Sequence, residues 1–110
     1  MSKVRWYGLD LARNVVPLAD GSHFRKTDEN KLQWVVGYTE LPEYNCRVST
    51  VFMSIDHGFG TEEPLVFETM VFVGDTYRDC YCERYHTWAE AEAGHKAAIA
   101  KVMTGEIKCD

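Results

Sequence analysis

At 110 residues, 45% of them hydrophobic and 13% aromatic, the chain has the size and apolar content of one domain with a modest core, which excludes a disordered or low-complexity protein. A formal net charge of −5 with scattered acids argues against nucleic acid, because phosphate-backbone binding needs clustered Lys and Arg. No apolar run is long enough to span a bilayer, and "MSKVRWYGLDLARNVV" shows neither an apolar h-region nor a small-residue cleavage site. The chain therefore reads as non-membrane and cytoplasmic, with Cys46, Cys80, Cys82 and Cys109 as reduced thiols.

In chain order, Lys3 to Leu11 reads as a short strand anchored by Trp6 and Tyr7, and Ala19 to Phe24 as a turn or helix start. Ser22 is a candidate N-cap for a short helix through about Lys31. In "KLQWVVGYTEL" Leu32, Trp34, Val36 and Tyr38 alternate with Gln33, Val35, Gly37 and Thr39, the period-2 pattern of a strand. Leu41 to Asn45 punctuates it as a turn. Arg47 to Asp56 and Pro64 to Val73, rich in Val, Phe, Thr and Ile, read as the two strands of an antiparallel hairpin with a wide loop. A further strand is expected at Tyr77 to His86, with Tyr77, Tyr81 and Tyr85 on one face.

The period then changes. Thr87 to Gly105 is the clearest helix: Thr87 and Glu90 match a capping box, and Trp88, Ala91, His95, Ala98, Ile99 and Val102 form an apolar face. Lys96 and Lys101 suit the C-terminal dipole, and Gly105 is a natural stop. The expected fold is α+β, an antiparallel sheet of about four strands with the C-terminal helix packed on one face.

Three places carry chemistry. The Asp56-His57-Gly58-Phe59-Gly60 loop holds acid, imidazole and aromatic together between two strong strands. His57 could serve there as a base or a ligand contact, or the loop could simply be a turn plugged by Phe59. Glu68, flanked by Val66, Met70 and Phe72, must face water or meet a partner such as Arg84 or His95. His95, on the apolar helix face, reads as a hydrogen-bonded core residue that would titrate near neutrality if it met Glu68. Cys80, Cys82 and His86 lack a fourth ligand for zinc, so no metal and no cofactor is expected. Cys80 and Cys82, two apart, are expected on one strand face, and Cys109 as a free exposed thiol.

The order "VSTVF…DHGFG…PLVFETMVF…RYHTWAEAEAGH" resembles a group of small uncharacterised proteins of bacteriophages and prophages, over roughly Val48 to Val102, with a looser echo at "YGLDLARNVVPLAD". Asp56, His57, Phe59, Gly60, Glu68, Thr69, Met70, Arg84, Tyr85, Trp88, Glu92, Gly94 and His95 carry that pattern. "GDTYRDCYCE" (Gly74 to Glu83) departs from it, since a Gly-rich, acidic hairpin belongs there. The resemblance implies a phage accessory protein in the cytoplasm of a bacterial host. As a counter-defence protein it would bind and sequester a small molecule, or block a host protein, without catalysis and with a homo-oligomer enclosing the ligand. The candidate ligand residues are Asp56, His57, Phe59, Glu68, Arg84, Trp88 and His95. For a nucleotide-like ligand, Phe59 or Trp88 would stack on a base and Arg84 would pair with phosphate. The alternatives are a structural or protein-interaction module of a phage, and a small acid–base enzyme with His57 paired to Asp56 or Glu68.

Overall fold

The computed structural model describes residues 6–18, 29–56 and 63–109. The chain forms a short hairpin, β1 (Tyr7–Leu9) and β2 (Val15–Pro17), then a helical turn, α1 (Lys31–Trp34). A meander follows: β3 (Val35–Leu41), β4 (Cys46–Phe52), β5 (Phe67–Val73) and β6 (Asp79–Tyr85). The 16-residue helix α2 (Trp88–Met103) comes last. The four meander strands lie in sequence order, every neighbour antiparallel, and α2 packs on one face of their sheet. The α+β architecture expected from the sequence is present, with the β1–β2 hairpin added to it.

Period-2 burial builds the centre of the sheet. Cys46, Val48, Thr50 and Phe52 of β4, and Phe67, Thr69 and Val71 of β5, are buried under α2. The intervening residues point to the opposite face, as the pleat requires. The two strands pair without a slip from Cys46↔Val73 to Phe52↔Phe67. They are shorter than their apolar runs because Ser54 takes a left-handed φ of 67° and its carbonyl accepts the Tyr7 N–H at 2.8 Å. The backbone thus leaves the sheet there to hold β1.

Helix α2 begins where its sequence says. The Thr87 hydroxyl accepts the Glu90 N–H at 3.1 Å and Glu90 returns a bond to the Thr87 N–H at 3.2 Å, which satisfies orphan donors at both positions. Gly105, at φ 85°, follows the last turn in the left-handed conformation that favours glycine. The buried stripe is Trp88, Ala91, His95, Ala98 and Val102. It divides the core in two. Trp88 and Ala91 join Tyr7, Phe52, Val66 and Phe67, whereas Ala98 and Val102 join Cys46, Val48, Val71 and Ile107. His95 sits between the two clusters.

Three sequence expectations are corrected. Leu32 and Trp34 are helical rather than extended, and β3 starts only at Val35. A bulge at Val36 then resets the register, so that Gly37 and Thr39 pair with core residues Thr50 and Val48 while Tyr38 is 53% exposed on the far face. The helix dictates this register: a Cβ at position 37 would lie 2.8 Å from the His95 ring. Tyr77 lies outside β6 and stacks edge-on against Phe72, whereas Tyr81 and Tyr85 pair with the core residues Val71 and Phe67.

The cysteines are also rearranged. The register of β5 and β6 shifts between Val71 and Phe72, so Cys80 is an extra, bulged residue that turns into the core. Its sulfur meets the Val71 carbonyl, while Cys82 lies across the sheet beside Glu68. The i, i+2 rule that would put both thiols on one face fails at the bulge. Cys80 is disulfide-bonded to Cys109, with Cα atoms 5.7 Å apart, so Cys109 is not a free thiol and clamps the C-terminal tail over Val102 and Ile107.

Two predictions follow from this packing. Gly94→Ala should gain helix propensity of about 1 kcal/mol, but its methyl would meet the Tyr85 hydroxyl. A net loss of roughly 1–3 kcal/mol is expected, read from the urea midpoint, and an unchanged midpoint would show that Tyr85 does not seat there. In intact-mass labelling without reductant, the native protein should take one thiol label, at exposed Cys82, and the unfolded protein a second, at buried Cys46. Cys80 and Cys109 should label only after reduction, and four labels without reductant would disprove the pairing.

Candidate functional site

The candidate residues separate onto different surfaces. Glu68 lies on the sheet face opposite α2, where its carboxylate takes the Arg84 Nε–H at 3.0 Å. The cross-strand register Glu68↔Arg84 sets this pair. Arg84 is well exposed, so the pair contributes at most about 1 kcal/mol. Burial, and then the Glu68 charge, push the neighbouring Cys82 thiol up. Asp56 accepts the Leu65 N–H at 2.9 Å and closes the base of its loop. His57 and Phe59 lie outside the described residues.

His95 is on the other side of the sheet, so Glu68 and His95 do not pair. Its ring is 8% exposed and is joined to hydroxyls of three strands, two directly and the third through Thr50. Nε2 is 3.0 Å from the Thr39 hydroxyl and Nδ1 is 2.7 Å from that of Thr50, which lies 2.6 Å from the Thr69 hydroxyl. A neutral imidazole has one donor and one acceptor nitrogen and fits this chain of hydroxyls. Burial pushes the His95 pKa below its ordinary value of 6.5, because desolvation disfavours the charged form.

The cleft lies elsewhere, where the β1–β2 hairpin meets the N-terminus of α2. Its volume is about 690 Å³, within the range of small-molecule sites. Tyr7, Val15, Pro17 and Pro64 give it apolar walls, and Arg13, His86, Glu63 and Glu92 supply polar groups. Among the described residues that the sequence nominated, Trp88 lines it. The indole is 8% exposed, packs edge-on against Phe67 at 6.1 Å, and carries a buried Nε1–H with no hydrogen-bond partner among the described residues. The His86 ring is tied by Nδ1 to the Pro64 carbonyl at 3.1 Å, which fixes the strand leading out of the loop against the helix start.

Arg13 is the residue that sequence reasoning missed. The β1–β2 turn is organised by Asp10, whose carboxylate accepts the N–H groups of Ala12 and Asn14, each at 2.9 Å. The Asn14 backbone bond holds the Asp10 carboxyl below its ordinary value. The Arg13 N–H bonds the Asp10 carbonyl and the Asp10 N–H bonds the Asn14 carbonyl, a three-residue hairpin connection with Arg13 at the left-handed position, φ 65°. Glycine or asparagine suits that position, and a larger side chain there costs about 1–2 kcal/mol. The guanidinium lies over the Trp88 ring, 4.4 Å from its centroid, and makes no ion pair or hydrogen bond among the described residues. A non-glycine residue held in the left-handed region beside a cleft is a functional pointer. The signal available in sequence was Asp10 four residues before Asn14, with a non-glycine between them.

Comparison with family models, with curated proteins and with solved structures finds no match. Among the described residues no helix is long and apolar enough to cross a membrane.

The His95 network carries a pH dependence. The unfolded chain takes up a proton at His95 near pH 6.5, and the folded chain only at lower pH. Its contribution to stability is therefore full above that value and is lost as pH falls through and below it, by at most about 1.4 kcal/mol per pH unit. Urea midpoints measured from pH 8 to pH 5 should fall more steeply for the wild type than for His95→Gln, and parallel curves would remove His95 from the account.

Proposed function

We propose that the protein is a small non-enzymatic binder whose ligand site is the cleft between the β1–β2 hairpin and the first turn of α2. The observation that carries this reading is the Arg13–Trp88 stack. Arg13, held at a left-handed turn position and with no ion pair or hydrogen bond among the described residues, lies over the Trp88 ring at the wall of a cavity of about 690 Å³. The resemblance to small bacteriophage proteins supports a counter-defence role in a bacterial host, in which the protein sequesters a small molecule. Blocking of a host protein through the same surface is the second form of that role. The acid–base enzyme alternative rests on His57 paired to Asp56 or Glu68, and His57 lies outside the described residues.

The test is native mass spectrometry of protein purified gently from bacterial cells, before and after denaturation. A released molecule of a few hundred daltons is expected, and the same spectra give the number of subunits. Ala89→Trp, on the exposed first turn of α2 at the cleft wall, should fold as the wild type does and carry no such molecule. Equal retention by Ala89→Trp would place the ligand elsewhere. An empty wild type would move the reading to a host-protein partner, sought by pull-down.

A further inference from the structure

We infer that the cleft contains an anion subsite, formed by the Arg13 guanidinium and the first backbone N–H groups of α2, for a single phosphate or carboxylate carried on a compact apolar body. The inference rests on the cleft being a ligand site and adds the chemical class of the guest.

The Glu90 carboxylate takes the His86 and Thr87 N–H groups just ahead of α2. At the start of α2 the Thr87 hydroxyl takes the Glu90 N–H and the Thr87 carbonyl takes the Ala91 N–H. The N–H groups of Trp88 and Ala89 have no partner among the described residues. Both residues line the cleft, and first-turn N–H groups favour negative charge through the helix dipole. Arg13 adds a full positive charge with planar, forked donors, the geometry that suits carboxylate and phosphate. Stacking on Trp88 restricts the guanidinium before any ligand arrives, so less side-chain freedom is lost on binding.

The other walls limit the guest. Tyr7, Val15 and Pro17 call for an apolar or aromatic body. Glu63 and Glu92 also line the cleft and repel a second acid group, so the guest carries one anionic end and, if polar elsewhere, hydrogen-bond donors. Phosphate and carboxylate share this chemistry and are told apart by the probes below.

The experiment is a titration of ¹⁵N-labelled protein with phenyl phosphate, benzoate, benzyl alcohol and benzylamine, followed at the Trp88 indole N–H and the Ala89 amide. One or both acids should shift the two signals, and the neutral and cationic probes should not at the same concentration. The stronger acid identifies the headgroup. Arg13→Gly suits the left-handed turn and should fold normally, yet weaken acid binding at least about tenfold, the size of a charge-assisted hydrogen bond. Arg13→Lys should retain part of the affinity. Equal binding of benzyl alcohol, tighter binding of benzylamine, full affinity in Arg13→Gly, or no shift with either acid would each overturn the subsite. A guest released from the wild type and missing from Ala89→Trp would leave the ligand-site reading standing in all of those cases.

Discussion

The His95 imidazole is the constraint on which the rest of the structure depends. A helix with one polar side chain in its buried stripe must find that side chain partners, or lose on the order of 1–3 kcal/mol for each unsatisfied group. Here the ring meets the hydroxyls of Thr39 and Thr50 on two neighbouring strands, and Thr50 in turn meets that of Thr69 on the next. The register of the sheet under the helix places this chain of hydroxyls against the ring. The bulge at Val36, the glycine at position 37 and the glycine at position 94 all serve that fit. An apolar residue at position 95 would bury as much surface but would let the helix slide along the sheet. The polar layer fixes one docking position between two apolar clusters.

Once the helix is fixed, so is the position of its N-terminus, and with it the cleft. Trp88 packs its edge on Phe67 and offers a face to Arg13. The β1–β2 hairpin is too short to be stable alone. It is held by the Tyr7–Ser54 backbone bond and by burial of Tyr7 in the upper cluster. The Arg13–Trp88 stack, with its arginine exposed, adds about 0.5–1 kcal/mol of attraction, no more than the cost of the left-handed residue that presents it.

The far face of the sheet is organised differently. Arg47 stacks over Phe72 and Tyr77 and bonds the Gly74 and Thr76 carbonyls of the β5–β6 turn, while Glu68 and Arg84 pair across β5 and β6. These charged groups answer one another locally and lie on the face turned away from the His95 network. The likeness of Glu68, Arg84 and His95 as candidates was a likeness of residue type, and the pleat assigned them to opposite sides.

Local physics was legible in the sequence wherever one short segment settles the matter. The capping box at Thr87 and Glu90, the apolar face of α2, the stop at Gly105 and the strand character of β4 and β5 depend on neighbours a few residues away and are present in the fold. What only the tertiary structure decided concerns residues whose partners lie far along the chain. The bulges at Val36 and Cys80 reverse which side chains face the core, and no period-2 count reveals an inserted residue. The Cys80–Cys109 link joins positions 29 apart. Arg13 gains its meaning from a ring 75 residues later in the sequence, held over it by a turn conformation that its residue type disfavours. Sequence determines the elements because helix and strand are decided by short-range sterics and burial period. The site waits on the fold because it is made where two such elements meet.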